Sequence, residues 1–294
     1  MRYHAIAAAA AMVLTMGVGA PTIAVADVTA EEATRRVNVA GRQRMLSQRM
    51  AKAACLMSTG IAADDHRGQM DAAYALFLQS DAALRVGDPE IGLQEETLNQ
   101  VLNALSEIDT PWAAYRRVIE LAQREGVVPE DRLMPLNATS LEVLRTMNAA
   151  VNTTARAYGG ITPNVPLALT VTVDIAGRQR MLTQKAVKEA CLMQVADDPA
   201  AMAETLLGTL TIFDLSLTAL RNGMADVGVM APPNEQIADQ LATVQELWTP
   251  VKALLDRAAG GEVLSPADLA ELATLTEPLL REMNTAVGLY EFVM

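Results

Sequence analysis

The chain has 294 residues, with 35 acidic against 23 basic side chains and a formal net charge of −12. That balance argues against nucleic acid and anionic membrane as partners, but not against a small anion held by a local arginine cluster. Aromatics are only 3% of the chain, while Ala, Leu, Met, Glu and Gln are abundant, so the expected class is all-α.

Arg2 gives a short basic start, an Ala-rich apolar stretch runs from about Ala5 to Ala20, and Ala24-Val25-Ala26 places small residues before Asp27. The pattern predicts a secretory leader over residues 1–26 and export to a periplasm. The alternative is an uncleaved N-terminal anchor, for which the apolar run is short. No later segment has eighteen uninterrupted apolar residues, so no membrane insertion is expected once the leader is removed.

The rest of the chain is an internal duplication. Asn38-Val-Ala-Gly-Arg-Gln-Arg-Met-Leu-Ser-Gln-Arg-Met-Ala-Lys-Ala-Ala-Cys-Leu-Met57 returns as Asp174-Ile-Ala-Gly-Arg-Gln-Arg-Met-Leu-Thr-Gln-Lys-Ala-Val-Lys-Glu-Ala-Cys-Leu-Met193, with 13 of 20 positions identical at an offset of 136. The same offset pairs Phe77 with Phe213, Trp112 with Trp248, and Met147-Asn148 with Met283-Asn284. The tryptophans are expected to be matched core anchors. The expected organisation is a repeat over 27–158, a linker over 159–166 and a second repeat over 167–294.

Each repeat reads as four helices. The first spans about 30–59 and 167–195, and the second 66–86 and 199–222. The third spans about 90–125 and 234–259, the fourth 131–157 and 266–290. Gly87-Asp88-Pro89, Gly126, Asp198-Pro199, Pro232-Pro233, Gly260-Gly261 and Ser265-Pro266 punctuate them. Pro111 and Pro250 fall inside helix-like stretches at non-equivalent positions, where a kink and a boundary are both open. Short connections favour antiparallel four-helix bundles.

On a helical wheel the repeated motif shows two faces. Val39, Leu46, Met50, Ala53 and Met57 form one, suited to the core of its own bundle. Val37, Ala40, Gly41, Arg44, Gln48, Ala51 and Cys55 form the other, repeated as Val173, Ala176, Gly177, Arg180, Gln184, Val187 and Cys191. So small and apolar a face is expected to pack on another helix. A mid-helix glycine costs about 1 kcal/mol against alanine, and its usual return is close approach of a neighbour or ligand. An arginine on such a face needs a polar or anionic partner. An acidic residue of a neighbouring helix and a bound anion both fit.

The string from Asn38 to Arg49 resembles the opening helix of the PilJ-like family, the N-terminal domains of type IV pili methyl-accepting chemotaxis transducers. It is similar also to the Ala-Gly-x-x-Arg-Met motif of NarX-type nitrate/nitrite sensor kinases. The resemblance implies a four-helix bundle that pairs through its first helices, with nitrate on the two-fold axis held by one Arg from each side and a Gly one turn earlier. Carried over by position, those residues are Arg44 and Arg180 with Gly41 and Gly177. Arg42 and Arg178 have no counterpart in the nitrate branch and are expected to serve as positioning or surface residues. With both modules in one chain, the two bundles are expected to pack as a pseudo-dimer and to supply both arginines in cis to a small oxyanion, nitrate or nitrite. A membrane sensor or transducer is the implied protein partner. The alternative is a ligand-free helical adaptor for a chemotaxis or type IV pilus transducer.

Cys55 and Cys191 occupy equivalent positions eleven residues after their arginines. If the first helices run parallel about a pseudo-two-fold axis, both thiols face it and can form a disulfide in an oxidising compartment. The other reading is two small buried apolar side chains in diverging helices. An enzyme is not indicated, and no cofactor or metal is expected. No nucleophile–base pair or Gly-rich phosphate loop is present, and Asp64-Asp65-His66 reads as a solvated inter-helix loop.

Overall fold

A computed structural model describes residues 28–161 and 166–293; the leader read over 1–26 lies outside them. The first repeat consists of α1 (Ala30–Ser58), α2 (Ala63–Val86), α3 (Asn99–Ser106), α4 (Asp109–Glu125) and α5 (Glu130–Ile161). The second consists of α6 (Leu167–Leu192), α7 (Pro199–Asn222), α8 (Glu235–Ala259) and α9 (Pro266–Glu291). Each is an antiparallel bundle, and the architecture is all-α.

Local chemistry explains the helix limits. Thr29 caps α1 by accepting from the Glu32 amide at 3.1 Å. Asp198 and Asn234 do the same for α7 and α8, and Ser265 with Asp268 forms a reciprocal capping box ahead of Pro266.

The third helix of the first repeat departs from expectation. Instead of one helix from about 90, residues 87–98 form a turn and an extended segment, followed by the short α3. Pro111 is the reason for the break before α4, because it lacks an N–H and its ring clashes with the carbonyl four residues earlier. Pro250, by contrast, is accommodated inside the continuous α8. The linker also begins later than expected, since α5 continues through Ile161. Gly159 permits this: a methyl group there would meet Thr170 Oγ1 at 2.5 Å and the Leu167 Cα at 3.2 Å, so α5 passes α6 at glycine distance.

His66 is not solvated. Asp64 and Asp65 favour a helix start there, α2 begins at Ala63, and His66 is buried, with Nδ1 3.3 Å from Gln69 Oε1. Trp248 is a buried anchor stacked on Phe213, whereas Trp112 stacks on Phe77 but is only half-buried. By length and composition α7 alone among the described residues could cross a membrane, but Leu206, Leu210, Phe213, Leu217 and Leu220 pack its inner face into the bundle.

The two bundles meet through α1 and α6, which pack along their length, and both faces of these helices are buried. Cys55 and Cys191 are joined by a disulfide with Cα atoms 6.2 Å apart. Since Gly41 also lies near the side chain of Arg180 and Gly177 near that of Arg44, the helices run parallel and in register.

The disulfide closes a long loop, and its loss is expected to lower stability by about 2–5 kcal/mol. Intact mass of the protein should rise by about 2 Da on reduction, and chemical denaturation of Cys55→Ser should give the destabilisation; an unchanged mass would show free thiols.

Candidate two-arginine site

Position by position, the seam between α1 and α6 is polar where it should be driest. Arg44 and Arg180 are both essentially inaccessible, at 0% and 2% exposure. They come from equivalent turns of parallel helices, so their guanidinium groups enter one space flanked by both glycines. A methyl group on Gly41 would lie 3.2 Å from Arg44 Nη2 and 3.8 Å from Arg180 Nη2. On Gly177 it would lie 3.2 Å from Arg180 Nη2 and 3.6 Å from Arg44 Nη2. Both glycines thus meet the arginine of their own helix and that of the other repeat, which accounts for a residue that helix propensity disfavours.

Two asparagines not singled out above complete the symmetric part. Arg44 Nη1 donates to Asn148 Oδ1 at 3.1 Å and Arg180 Nη1 to Asn284 Oδ1 at 3.0 Å. They lie on α5 and α9, and the matched Met-Asn pairs were the sequence signal for them. Each Nη2 then crosses to the other repeat, Arg44 to the Asp174 carbonyl at 3.3 Å and Arg180 to the Asn38 carbonyl at 3.4 Å.

The side chains of those two residues differ, and the difference breaks the symmetry. Asp174 places Oδ1 2.6 Å from Arg44 Nη2 as an ion pair, and its Oδ2 accepts from Arg178 Nη2 at 2.8 Å. Arg44 is therefore paired with an acid of the neighbouring helix, and Arg178 bonds the other oxygen of that acid. The Arg44 contact lacks hydrogen-bond directionality, leaving Asp174 Oδ1 without a hydrogen-bond partner. Arg180 instead donates from Nη2 to Asn38 Oδ1 at 2.7 Å, and Asn38 Nδ2 donates to Glu291. Among the described residues Arg180 forms no ion pair, and its buried Nε has no hydrogen-bond partner.

The electrostatics follow. Burial alone would raise the Asp174 carboxyl, but Arg44 and Arg178 outweigh it and hold it below the usual range. Burial, and then Arg42 and Arg44, push Arg180 down to about 9, with Glu291 opposing. It stays cationic at neutral pH, but as a charge the surrounding protein compensates poorly. Arg42 sits at the margin, donating to Ser80 Oγ at 2.8 Å.

Two turns further along, Lys52 and Lys188 are also buried. Lys52 pairs with Glu277 at 3.1 Å, while Lys188 donates to Gln48 Oε1 at 2.6 Å and Ser140 Oγ at 3.2 Å. Burial pushes Lys188 down to about 7. The seam from the glycines to the disulfide is therefore dry and rich in basic side chains.

The model of the PilJ family, the type IV pili methyl-accepting chemotaxis transducer N-terminal domain, matches residues 29–133 and again 168–273. A methyl-accepting chemotaxis protein of Pseudomonas aeruginosa, McpN, is 34% identical over 119 residues. That match covers 40% of this chain and 21% of the relative, so the whole relative's activity does not transfer with it. No solved structure matches.

The unequal compensation predicts opposite stability effects in buffer whose only small anion is chloride. Arg180→Met removes a buried charge without an acidic partner and should stabilise the fold by about 1–4 kcal/mol. Arg44→Met leaves Asp174 buried beside Arg178 alone and should destabilise it. Urea denaturation of the two variants measures both, and equal shifts would contradict the assignment.

Proposed function

Because the chain belongs to the PilJ family and carries its domain twice, we propose that it is a periplasmic sensory protein binding one small oxyanion, nitrate or nitrite, between α1 and α6. The observation that carries this reading is the convergence of Arg44 and Arg180 between Gly41 and Gly177, with Arg180 buried and unmatched by a carboxylate. Guanidinium groups present fixed, planar forks of N–H donors and remain charged. A planar anion between two of them accepts several charge-assisted hydrogen bonds and relieves their repulsion. Duplication places in one chain the two halves of a site that would otherwise need two subunits. A membrane transducer is the proposed recipient of the signal.

A ligand-free interaction module is the second reading, favoured by Leu207, Ile212 and Leu215, which are more than half exposed on the outer face of α7. It expects no response of stability to anions.

Nitrate at a hundredfold excess over its Kd should stabilise the protein by about 2.7 kcal/mol, a rise in Tm of about 5–10 °C. Arg44→Ala and Arg180→Ala should remove the rise. If nitrate and nitrite both leave the wild-type Tm where matched chloride leaves it, the anion reading is wrong.

Gly41→Ala and Gly177→Ala separate site from scaffold. The added methyl crowds both guanidinium groups, so the nitrate-dependent rise should shrink, while ligand-free stability stays within about 1 kcal/mol of wild type. Scanning calorimetry with and without nitrate reads both quantities.

A further inference from the structure

The two repeats differ by one formal charge at one position of the arginine site, Asn38 against Asp174. The Asp174 carboxylate is 5% exposed and holds Arg44 Nη2 at 2.6 Å, on the face of Arg44 that turns toward Arg180 and both glycines. Its equivalent, Asn38, presents a neutral amide oxygen to Arg180. The fully buried ionised groups there are thus two guanidinium cations and one carboxylate, a net charge of one. The surrounding ionised groups are paired or lie at the margin. Arg178, with its side chain 32% exposed, and Arg42 are cations at the part-exposed margin where water screens them, and Glu291 is paired with Arg35.

We propose that Asp174 is a specificity-determining residue that competes with the ligand for Arg44 and restricts the site to monoanions. This inference rests on the anion-binding reading above and goes beyond it by naming the residue that selects ligand charge. A monoanion brings the inner group to neutrality. A dianion would leave a buried net negative charge beside the Asp174 carboxylate, which a low-dielectric seam penalises heavily. The arrangement needs a duplicated chain. A true two-fold dimer of either repeat would carry Asn at both positions or Asp at both, giving an inner charge of two or none, because symmetry repeats every residue. Only unlike halves place a single acid opposite two arginines. Asp174 Oδ1 and Arg180 Nε, two of the buried polar atoms without hydrogen-bond partners, lie on the two groups that an incoming anion would rearrange.

The test is isothermal titration calorimetry of the mature full chain with nitrate and with sulfate at matched ionic strength. Wild type should bind nitrate and not sulfate. Asp174→Asn should bind nitrate about tenfold more tightly, since the buried competitor is gone, and should gain sulfate binding. Asp174→Ala, which removes the carboxylate without supplying an amide, should also gain sulfate, and circular dichroism confirms that each variant is folded. If wild type binds nitrate but both variants keep its affinity within twofold and still refuse sulfate, Asp174 does not set the charge and the anion reading survives alone. If wild type binds no nitrate but the variants acquire anion binding, Asp174 is the occupant of Arg44 while the anion reading fails for the native chain. Absence of binding in all three overturns both.

Discussion

Two like charges share one dry seam, and much of the molecule is arranged around that fact. Arg44 and Arg180 repel each other where water cannot screen them, and the protein answers with parallel helices, carbonyl oxygens lent across the seam, two asparagines and one carboxylate. An apolar pair would hold α1 and α6 together more tightly. Retaining the arginines means that stability is surrendered at this position, which the proposed anion would restore on binding.

The surroundings of the seam make that tension tolerable. At one end the Cys55–Cys191 disulfide fixes the register of the two helices about three turns from the arginines. At the other, the first repeat buries Arg36 against Glu32 and Glu96, with the Tyr158 hydroxyl also on Glu96, tying the segment before α3 to α1. The equivalent of Arg36 is Thr172, whose hydroxyl accepts from the Met230 amide and donates to the Ala168 carbonyl. The repeats are therefore alike at the glycines, arginines and cysteines, and unlike in the charges packed around them. A single chain permits this divergence, because each half evolves under its own codons while the seam keeps both in contact.

The sequence alone carried the helical class, the duplication and the two faces of its repeated helix, since periodicity and an ungapped offset are local, one-dimensional signals. It also led to Gly41, Arg44, Gly177 and Arg180, because a glycine and a buried cation inside a helix are costly enough to stand out wherever they occur. Helix limits at proline were ambiguous for a physical reason. Pro111 interrupts its helix and Pro250 does not, and the neighbouring elements decide whether the lost hydrogen bond is tolerated. His66 was misplaced on similar grounds, since a polar tripeptide reads as solvated until a second helix is seen to cover it.

What only the tertiary structure decided is which groups face the arginines. Asp174 and Asn38 belong to the motif, yet each serves the arginine of the other repeat, and Asn148 and Asn284 arrive from helices more than a hundred residues along the chain. Charge compensation depends on distances of a few ångströms between elements remote in sequence, and no helical wheel holds that information. The sequence determined that two arginines would occupy matched, small-residue faces. The packing of parallel α1 and α6 determined that one of them is paired with an acid and the other is not.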